Sequence, residues 1–376
     1  MDIYGEKKNA VRTVTFLCTI MLVLTIADLF YRVVDFREEG KGSFMTAPKM
    51  TEESLISGSF MKDCEENVTN RFVNRENWIT LKTYMDVAML KKEINGVYLG
   101  KDRYLLEKHT RAEFSLEKVE KTLESMQQLI KEYPDTRFMP IPTKDCVLSE
   151  KLPAFAPYFD QRLLIEQMKN VLGNEHVIDV YPVLKAHEQE KIYFYTDSRW
   201  TGLGAYYGYT EFAKAYKLPA FNYLKQEPLK VTEEFKGNLY SEVNLPLKGE
   251  DILMFPGTLE KKYTITYDGN KTSHSFYAPD CLTGENKYDY FMDGTHALTI
   301  IERESFSQEE LFVIKNSYGN CLIPFLARHY KRVYVVDLSC FDGSLINLMK
   351  ECDTTGQMDV LVVYDCVDFV EHFSIR

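Results

Sequence analysis

The sequence predicts an α/β fold with a mainly parallel β-sheet, preceded by one membrane-spanning helix. Residues 311–317, 332–339 and 358–365 form near-continuous apolar runs separated by helical patterns. Such runs are typical of parallel strands that helices cover on both faces. A further apolar stretch at 13–31 is close to the ~20 residues that a membrane-spanning helix requires. Hydrophobic residues make up 45% of the 376-residue chain, which is enough to bury one large core or two modest ones.

The charges around the apolar stretch predict its orientation. Lys7, Lys8 and Arg12 precede it, whereas acidic residues dominate after it. The positive-inside rule therefore places residues 1–12 in the cytoplasm and the rest of the chain outside the membrane. A cleaved signal peptide would end in small residues at its cleavage site, and the sequence after the stretch has none. We expect an uncleaved anchor at 13–31, with cleavage or a buried helix as the alternatives.

The rest of the chain divides by composition into a stalk and a globular domain. Residues 32–70 are polar and contain glycine and serine, a composition typical of a linker. Residues 71–376 predict one folded domain. Within it, residues 225–300 contain two β-type arms around Asp268 and Gly269, which is a strong hairpin signal. This segment predicts an antiparallel, β-rich insertion suited to substrate specificity.

Alternating helix and strand patterns between residues 78 and 217 support the α/β assignment. A hairpin is predicted over 94–106, where apolar residues alternate around a central Gly-Lys-Asp. Helices are predicted at 78–90, 117–133, 160–172 and after Trp200, and strands at 137–143, 175–184 and 192–197.

Charge and cysteine content exclude several classes of function. The formal net charge is −11 and the isoelectric point is about 5.3, whereas a sequence-independent hold on nucleic acid phosphates requires a basic face. We therefore expect no nucleic acid partner. The eight cysteines include no CxxC pair and no grouping with histidine, so no zinc site is predicted. We expect neither a metal nor a cofactor.

Ser317 is the candidate nucleophile. It stands where the apolar run at 311–315 ends and a helical pattern begins, which is the geometry of a nucleophile elbow. A hydroxyl at such a turn projects above the sheet edge, and the donors that follow, at Tyr318 and Asn320, are candidates to stabilise an oxyanion. The alternative is that Ser317 only caps the helix, which is a common role for serine.

Asp197 lies in a second strand-to-helix turn, which predicts that it shares a sheet edge with Ser317. A nucleophilic serine needs a base, usually a histidine that a carboxylate orients. The residues that follow Asp197 are Ser198 and Arg199. A guanidinium stays protonated at physiological pH and cannot accept the serine proton. Helix capping is the alternative role for Asp197.

Together these two segments resemble the bacterial DHHW family, relatives of the alginate O-acetyltransferase proteins of the SGNH-hydrolase superfamily. The family hallmark, TDHHWT followed by GAYYAY, stands here as TDSRWT at 196–201 and GAYY at 204–207. The nucleophile motif KDSYGN stands as KNSYGN at 315–320. Further family-like segments lie at 77–82, 93–105 and 151–161. The resemblance runs from about residue 70 to the C-terminus and implies an SGNH-hydrolase-like, three-layer α/β/α fold.

The resemblance implies roles for individual residues. Ser317 matches the nucleophile, Asp197 matches the triad aspartate, and the catalytic histidine falls at Arg199. Asn316 replaces the acid before the serine. These departures imply impaired catalysis. His296, in another family-like segment, is a candidate for a relocated base that approaches Ser317, and a structural hydrogen-bonding role is the alternative for it.

The function that the resemblance implies is O-acetylation of a cell-surface polysaccharide, by acetyl transfer or ester hydrolysis. Ser317 would attack an acetyl donor that a membrane acyltransferase hands over, and the acetyl group would pass to a sugar hydroxyl or to water. The alternative is a non-catalytic glycan-binding or scaffolding protein of the cell envelope. In that case Arg199 would pair with Asp197 or bind the carboxylate of an acidic sugar.

Overall fold

The structure, a computed structural model, describes residues 11–16, 18–19, 21–23, 26, 75–259, 261–304, 309–353 and 356–375. The chain divides into two compact units, Met1–Met85 and Asp86–Arg376. No helix among the residues that the structure describes is both long and apolar enough to cross a membrane. The predicted anchor at 13–31 falls only partly on these residues, and the predicted stalk at 32–70 lies outside them.

Ten α-helices and twelve strands lie in the described ranges from residue 75 onward. The α-helices are α1 (Arg75–Ala88), α2 (Leu116–Glu132), α3 (Lys144–Val147), α4 (Arg162–Leu172), α5 (Tyr181–Ala186), α6 (Gly202–Ala215), α7 (Asn238–Val243), α8 (Ile323–Leu326), α9 (Leu345–Cys352) and α10 (Cys366–Glu371). The strands are β1 (Glu93–Ile94), β2 (Val97–Leu99), β3 (Leu105–Glu107), β4 (Arg137–Ile141), β5 (Leu229–Phe235), β6 (Glu250–Met254), β7 (Thr264–Tyr267), β8 (Lys271–Ser273), β9 (Leu298–Glu302), β10 (Glu310–Lys315), β11 (Arg332–Asp337) and β12 (Asp359–Asp365). Short 3₁₀ turns, among them Ser317–Cys321, join several of these elements.

A seven-stranded mixed sheet forms the centre of the fold, with the strand order β4-β12-β10-β11-β9-β7-β8. The strands β4, β12, β10 and β11 are parallel to one another. Val313 at the centre of β10 pairs with Val335 of β11 and Leu361 of β12. Two smaller antiparallel sheets, β1-β2-β3 and β5-β6, are separate from it.

Both faces of the parallel strands are buried, which explains their near-continuous apolar sequences. Along β10, Leu311 and Val313 belong to one core cluster, whereas Phe312 and Ile314 belong to another, because successive side chains of a strand point to opposite faces. Residues of α6 pack in the first cluster, and residues of α2 and α4 pack in the second. The sheet is therefore the middle layer of an α/β/α arrangement.

Helix α2 illustrates how the apolar pattern positions the outer layer. Its buried residues Val119, Leu123 and Met126 recur every three or four positions, so they share one face of the helix. That face packs on the second core cluster. The helix predicted at 117–133 is confirmed.

The region predicted as a β-rich insertion, 225–300, is divided between two sheets. Strands β5 and β6 form their own hairpin, whereas β7, β8 and β9 extend the central sheet as antiparallel strands. The predicted β7–β8 hairpin turns at Asp268 and Gly269, whose φ angles of 47° and 71° are those that an Asp-Gly turn favours. The expected mainly parallel sheet is corrected to a mixed sheet with an antiparallel extension.

The strand predicted at 175–184 does not form. Its residues contribute a single parallel bridge, between Phe138 and Val177, before α5 begins. Pro182 stands in the first turn of α5, where its missing N–H leaves no hydrogen bond unmade. The second half of the apolar run that predicted a strand therefore forms the start of helix α5.

The segment at 192–197 also belongs to none of the three sheets. A bridge links Tyr193 to Trp200, and the Leu105 N–H of β3 donates to the Tyr195 carbonyl at 2.8 Å. The backbone N–H groups of Tyr195 and Thr196 donate instead to the carboxylate of buried Glu250, at 2.9 and 2.8 Å. A side chain that is distant in sequence thus satisfies the hydrogen bonds that a neighbouring strand would make.

Candidate active site

A polar cleft of about 280 Å³ lies at the carboxyl ends of three parallel strands. Thr143 follows β4, Ser317 follows β10 and Asp365 ends β12, and all three line the cleft. Two ionisable residues at the end of β3, Glu107 and His109, also line the cleft. Ligands of parallel sheets gather at this edge, so the cleft is the candidate site.

Ser317 stands at the head of a 3₁₀ turn that follows β10. Asn316 caps this turn, because its side-chain oxygen accepts the backbone N–H of Tyr318 at 3.1 Å. The backbone carbonyl of Ser317 accepts the Tyr288 hydroxyl at 3.2 Å. Within the described part of the chain, no group hydrogen-bonds to the Ser317 hydroxyl. The predicted elbow is present, with a 3₁₀ turn in place of a regular helix.

The two predicted motifs meet beside this cleft. The Trp200 indole N–H donates to the backbone carbonyl of Tyr318 at 2.8 Å, and the Tyr318 hydroxyl donates to the backbone carbonyl of Ser198 at 2.7 Å. Ser198 and Ser317 both line the cleft. The structure thus brings the 197–199 turn and Ser317 together, as the sequence predicts.

The side chains of Asp197 and Arg199 bind each other. Arg199 Nε and Nη2 donate to the two carboxylate oxygens of Asp197, at 2.6 and 2.7 Å. Burial favours the neutral form of Asp197, but the Arg199 charge and hydrogen bonds outweigh it and hold the pKa of Asp197 below its usual value. Arg199 Cζ also lies 3.5 Å from the centre of the Tyr288 ring, which is a cation–π contact. Asp197 therefore orients an arginine and no base.

Buried contacts hold the backbone of residues 194–197 in place. The Lys144 ammonium donates to the carbonyls of Phe194 and Asp197 at 2.9 and 2.7 Å, and burial lowers the pKa of Lys144 to about 8. Gly237 packs so closely on Asp197 that an added Cβ would collide with it. The 197–199 turn is thus fixed by its surroundings in the orientation that pairs Asp197 with Arg199.

His109 is a cleft residue that the sequence did not reveal. Its Nδ1 lies 3.0 Å from a carboxylate oxygen of buried Asp145, and the same oxygen accepts the Thr143 hydroxyl. Nε2 lies 3.6 Å from the Glu107 carboxylate. Burial opposes a charge on the ring, but Asp145 outweighs it and raises the pKa of His109 to about 9. No local signal marks this pair, because 36 positions separate its members and only the fold joins them.

Asn316 lies between two carboxylates of the cleft. Its side-chain amide donates to Asp365 Oδ2 at 2.8 Å and to Asp368 Oδ2 at 2.7 Å. Burial and repulsion from Asp368 raise the pKa of Asp365 to about 7. An acid at position 316 would lack these two donated hydrogen bonds and would add a third carboxylate. The departure of Asn316 from the family motif therefore has a local structural reason.

The two predicted oxyanion donors are engaged elsewhere. The Tyr318 N–H donates to the Asn316 side chain. Asn320 is buried, and its amide donates to the backbone carbonyl of Gly294 at 3.1 Å. Its side-chain oxygen has no hydrogen-bond partner among the residues described. The structure gives the Asn320 side chain a structural contact with Gly294, and the role of Asn320 as an oxyanion donor stays a prediction.

His296 belongs to the end of the β7–β8 hairpin. Its Nδ1 lies 2.8 Å from the Asp268 carboxylate, and its Nε2 lies 3.1 Å from the backbone carbonyl of Asp293. Its ring packs on Tyr267 with 4.4 Å between centroids. The expectation that His296 approaches Ser317 as a base is corrected, because both ring nitrogens have structural partners. Over the described ranges, no group of three or more His, Cys, Asp or Glu side chains is arranged to hold a metal ion.

Comparisons with known proteins confirm the motif resemblance. Residues 97–245 match the family model described as DHHW protein. A DHHW family protein from Eubacterium siraeum shares the fold with a TM-score of 0.60 at 21% identity, over 76% of this chain and 97% of that one. Bacillus cereus PatB1, solved with a sulfonyl adduct, shares it with a TM-score of 0.58 at 17% identity, over 73% of this chain and 95% of that one.

A weaker likeness joins the chain to the O-acetyltransferase domain of Pseudomonas putida AlgJ, at 16% identity over 74% of this chain and 93% of that one. Its TM-score of 0.42 is too low to carry an argument. A search of curated protein sequences finds no significant match.

Proposed function

Taking residues 97–245 as DHHW-family sequence, we propose that the protein acts in O-acetylation of a cell-surface polysaccharide, as an acetyl transferase or esterase of low activity. The observation that carries this proposal is the position of Ser317. It stands at the carboxyl end of a buried parallel strand, in a polar cleft and beside the hallmark turn. A hydroxyl in that place is suited to attack an acyl carbonyl carbon.

Low activity follows from the residue at the motif histidine. Arg199 is bound to Asp197 and remains protonated, so this turn supplies no proton acceptor to Ser317. General-base assistance contributes roughly 10²–10⁴-fold to such reactions. We therefore expect turnover well below that of an intact triad.

The charges of the cleft favour a neutral glycan. Glu107, Asp365, Asp368 and Glu371 all line it, and these acids repel a polyanionic chain. Arg199 is committed to Asp197, so it does not supply a binding site for the carboxylate of an acidic sugar. The proposed acceptor is therefore a polysaccharide with few acidic sugars.

The predicted anchor completes the proposal. A single-pass helix at 13–31 would hold the domain at the outer face of the membrane, where a membrane acyltransferase is a suitable acetyl donor. The charges that flank this stretch support the orientation.

A topology experiment tests the anchor. We expect alkaline phosphatase fused at the C-terminus to be active in a bacterial host and a green fluorescent protein fusion at the same place to stay dark, because the domain is outside the membrane. Bright fluorescence with inactive phosphatase would contradict the proposed localisation, as would a soluble form that begins near residue 40.

An esterase assay tests the enzyme proposal. We expect full-length protein to hydrolyse p-nitrophenyl acetate slowly, and we expect Ser317→Ala to reduce the rate to that of buffer because the nucleophile is lost. The matched control is Ser339→Ala. Ser339 follows the neighbouring parallel strand, but its hydroxyl donates to Asp337 at 2.6 Å. Equal rates for the wild type and Ser317→Ala would refute the proposal.

Two observations favour the non-catalytic alternative. The Asp197–Arg199 pair and the engaged Tyr318 N–H leave the motif residues in structural roles. A glycan-binding module would retain the cleft and lose turnover. Binding of a neutral polysaccharide in isothermal titration, with no release of acetate at any pH, would support this alternative.

A further inference from the structure

We propose that His109 is the proton-transfer residue for Ser317, positioned by Asp145, and that it replaces the histidine that the hallmark turn lacks. The inference rests on the proposed function, since it assumes that Ser317 attacks an acyl donor. It assigns a catalytic role to His109 and a positioning role to Asp145.

The His109–Asp145 pair has the arrangement of the histidine and aspartate of a serine-hydrolase triad. The carboxylate contacts Nδ1 and thereby sets the ring orientation and tautomer. Nε2 lies 3.6 Å from the Glu107 carboxylate, which is beyond hydrogen-bond distance, so Nε2 can exchange a proton. Asp145 is 1% exposed and is itself held by the Thr143 hydroxyl. Gln161 in turn accepts the Thr143 N–H at 2.8 Å. Both members of the His109–Asp145 pair are therefore buried and held by hydrogen bonds.

His109 and Ser317 line one cleft of about 280 Å³. Among the described residues, His109 is the sole histidine in that lining. The ring and the Ser317 hydroxyl are not hydrogen-bonded to each other, so the proposed proton transfer requires the two side chains to approach when an acyl donor enters the cleft.

Two of the four acids of the cleft, Asp365 and Asp368, are less suited to take the serine proton. Asp365 Oδ1 accepts the N–H groups of Val367 and Asp368 at the start of α10, and Oδ2 accepts the Asn316 amide. Asp368 binds Asn316 through one oxygen and His372 through the other. The oxygens of both acids are therefore occupied by structural contacts.

The proposed proton transfers balance without a further reactant. Ser317 Oγ forms a bond to the acyl carbon while His109 Nε2 takes the hydroxyl proton. When the bond to the leaving oxygen breaks, that oxygen receives the proton from Nε2. A sugar hydroxyl or water then gives its proton to Nε2 as it attacks the acyl-serine. The proton returns to Ser317 Oγ when the serine ester breaks, and the neutral ring is restored.

The need for a neutral ring gives the reaction a distinctive pH dependence. Asp145 from α3, Glu107 from β3 and Asp365 from β12 act on the ring, with Asp368 and the Lys144 ammonium acting on Glu107. The acids outweigh burial and raise the pKa of His109 to about 9. Below that pH the fraction of neutral ring, and with it the rate, falls by about tenfold per pH unit.

The test is the pH profile of p-nitrophenyl acetate hydrolysis by the full-length protein, with the Ser317→Ala rate subtracted. We expect the wild-type rate to rise to a plateau with a midpoint near pH 9. His109→Gln should lower the plateau by about 10²-fold or more and remove the rise. Asp145→Asn should move the midpoint to lower pH, because it removes the charge that favours the protonated ring.

Two further variants separate this role from a structural one. His176→Gln is the matched control, since His176 Nδ1 contacts the Thr136 carbonyl at 2.8 Å and plays no part in the cleft. It should keep the wild-type profile. His109→Ala should regain activity when free imidazole is added, which a folding defect would not allow.

The outcomes distinguish this inference from the proposed function. If activity depends on Ser317 and His109→Gln keeps the full profile, the inference is wrong and the proposed function stands. If His296→Gln abolishes the rise instead, the base is His296 and the inference is also wrong. If Ser317→Ala retains the wild-type rate, the proposed function itself fails.

Discussion

Replacing Arg199 by alanine is expected to lower the free energy of unfolding by about 3–5 kcal/mol, because it leaves a buried carboxylate without its cation. The side chain of Asp197 is 0% exposed and makes two short bonds to the guanidinium. Loss of the contact with the Tyr288 ring adds to the effect. The measurement is guanidinium-induced unfolding of the full-length protein, followed by tryptophan fluorescence.

The matched control is Arg162→Ala. Arg162 binds Asp160 with the same spacing along the chain and through the same two nitrogens. The side chains of this pair are 55% and 31% exposed, and exposed pairs contribute about 0–1 kcal/mol. Equal losses in the two variants would contradict the structural role that burial gives to the Asp197–Arg199 pair.

Replacing Asn316 by aspartate is expected to cost about 2–3 kcal/mol at pH 8, although it restores the family motif, because hydrogen bonds to two charged groups are lost. The new carboxylate would face Asp365 and Asp368, which now accept the Asn316 amide. The measurement is the same unfolding experiment at several pH values.

The sign of the pH dependence follows from Asp365. Its pKa is raised to about 7 in the folded protein, so the folded state binds its proton more tightly than the unfolded state and ionisation of Asp365 destabilises the fold. The penalty for Asn316→Asp should therefore shrink as the pH falls below 7. Asn316→Ala is the control, since it loses both donated hydrogen bonds and the bond that the Tyr318 N–H donates to the side chain without adding charge. A penalty for Asn316→Asp that changes with pH no more than the penalty for Asn316→Ala would contradict this explanation.

The sequence predicts those elements of the fold and of the site whose pattern lies in neighbouring residues. Near-continuous apolar sequence identifies β10, β11 and β12 as strands, because both of their faces are buried. The hairpin at Asp268 and Gly269 follows from the positive φ angles that this pair accepts. The position of Ser317 at a strand-to-helix turn is likewise predicted from local sequence, since the end of β10 and the start of the 3₁₀ turn are adjacent in the chain.

The sequence was insufficient where distant side chains decide the structure. The sequence of 192–197 predicts a strand, but the N–H groups of Tyr195 and Thr196 bind Glu250 from β6. The pairing of Arg199 with Asp197 was one of two open possibilities, and burial of the carboxylate decides it. His109 gave no signal at all, because its partner Asp145 comes from a different element and nothing in the local sequence of either residue indicates the other.

The most direct test of nucleophilic catalysis by Ser317 is whether its hydroxyl becomes acylated. Full-length protein is mixed with p-nitrophenyl acetate at alkaline pH, quenched in acid, digested and mapped by tandem mass spectrometry. We expect an acetyl group on Ser317 Oγ that forms more slowly in His109→Gln and is absent in Ser317→Ala. Hydrolysis of the ester with Ser317 unmodified, and with acetyl groups only on other side chains, would contradict it.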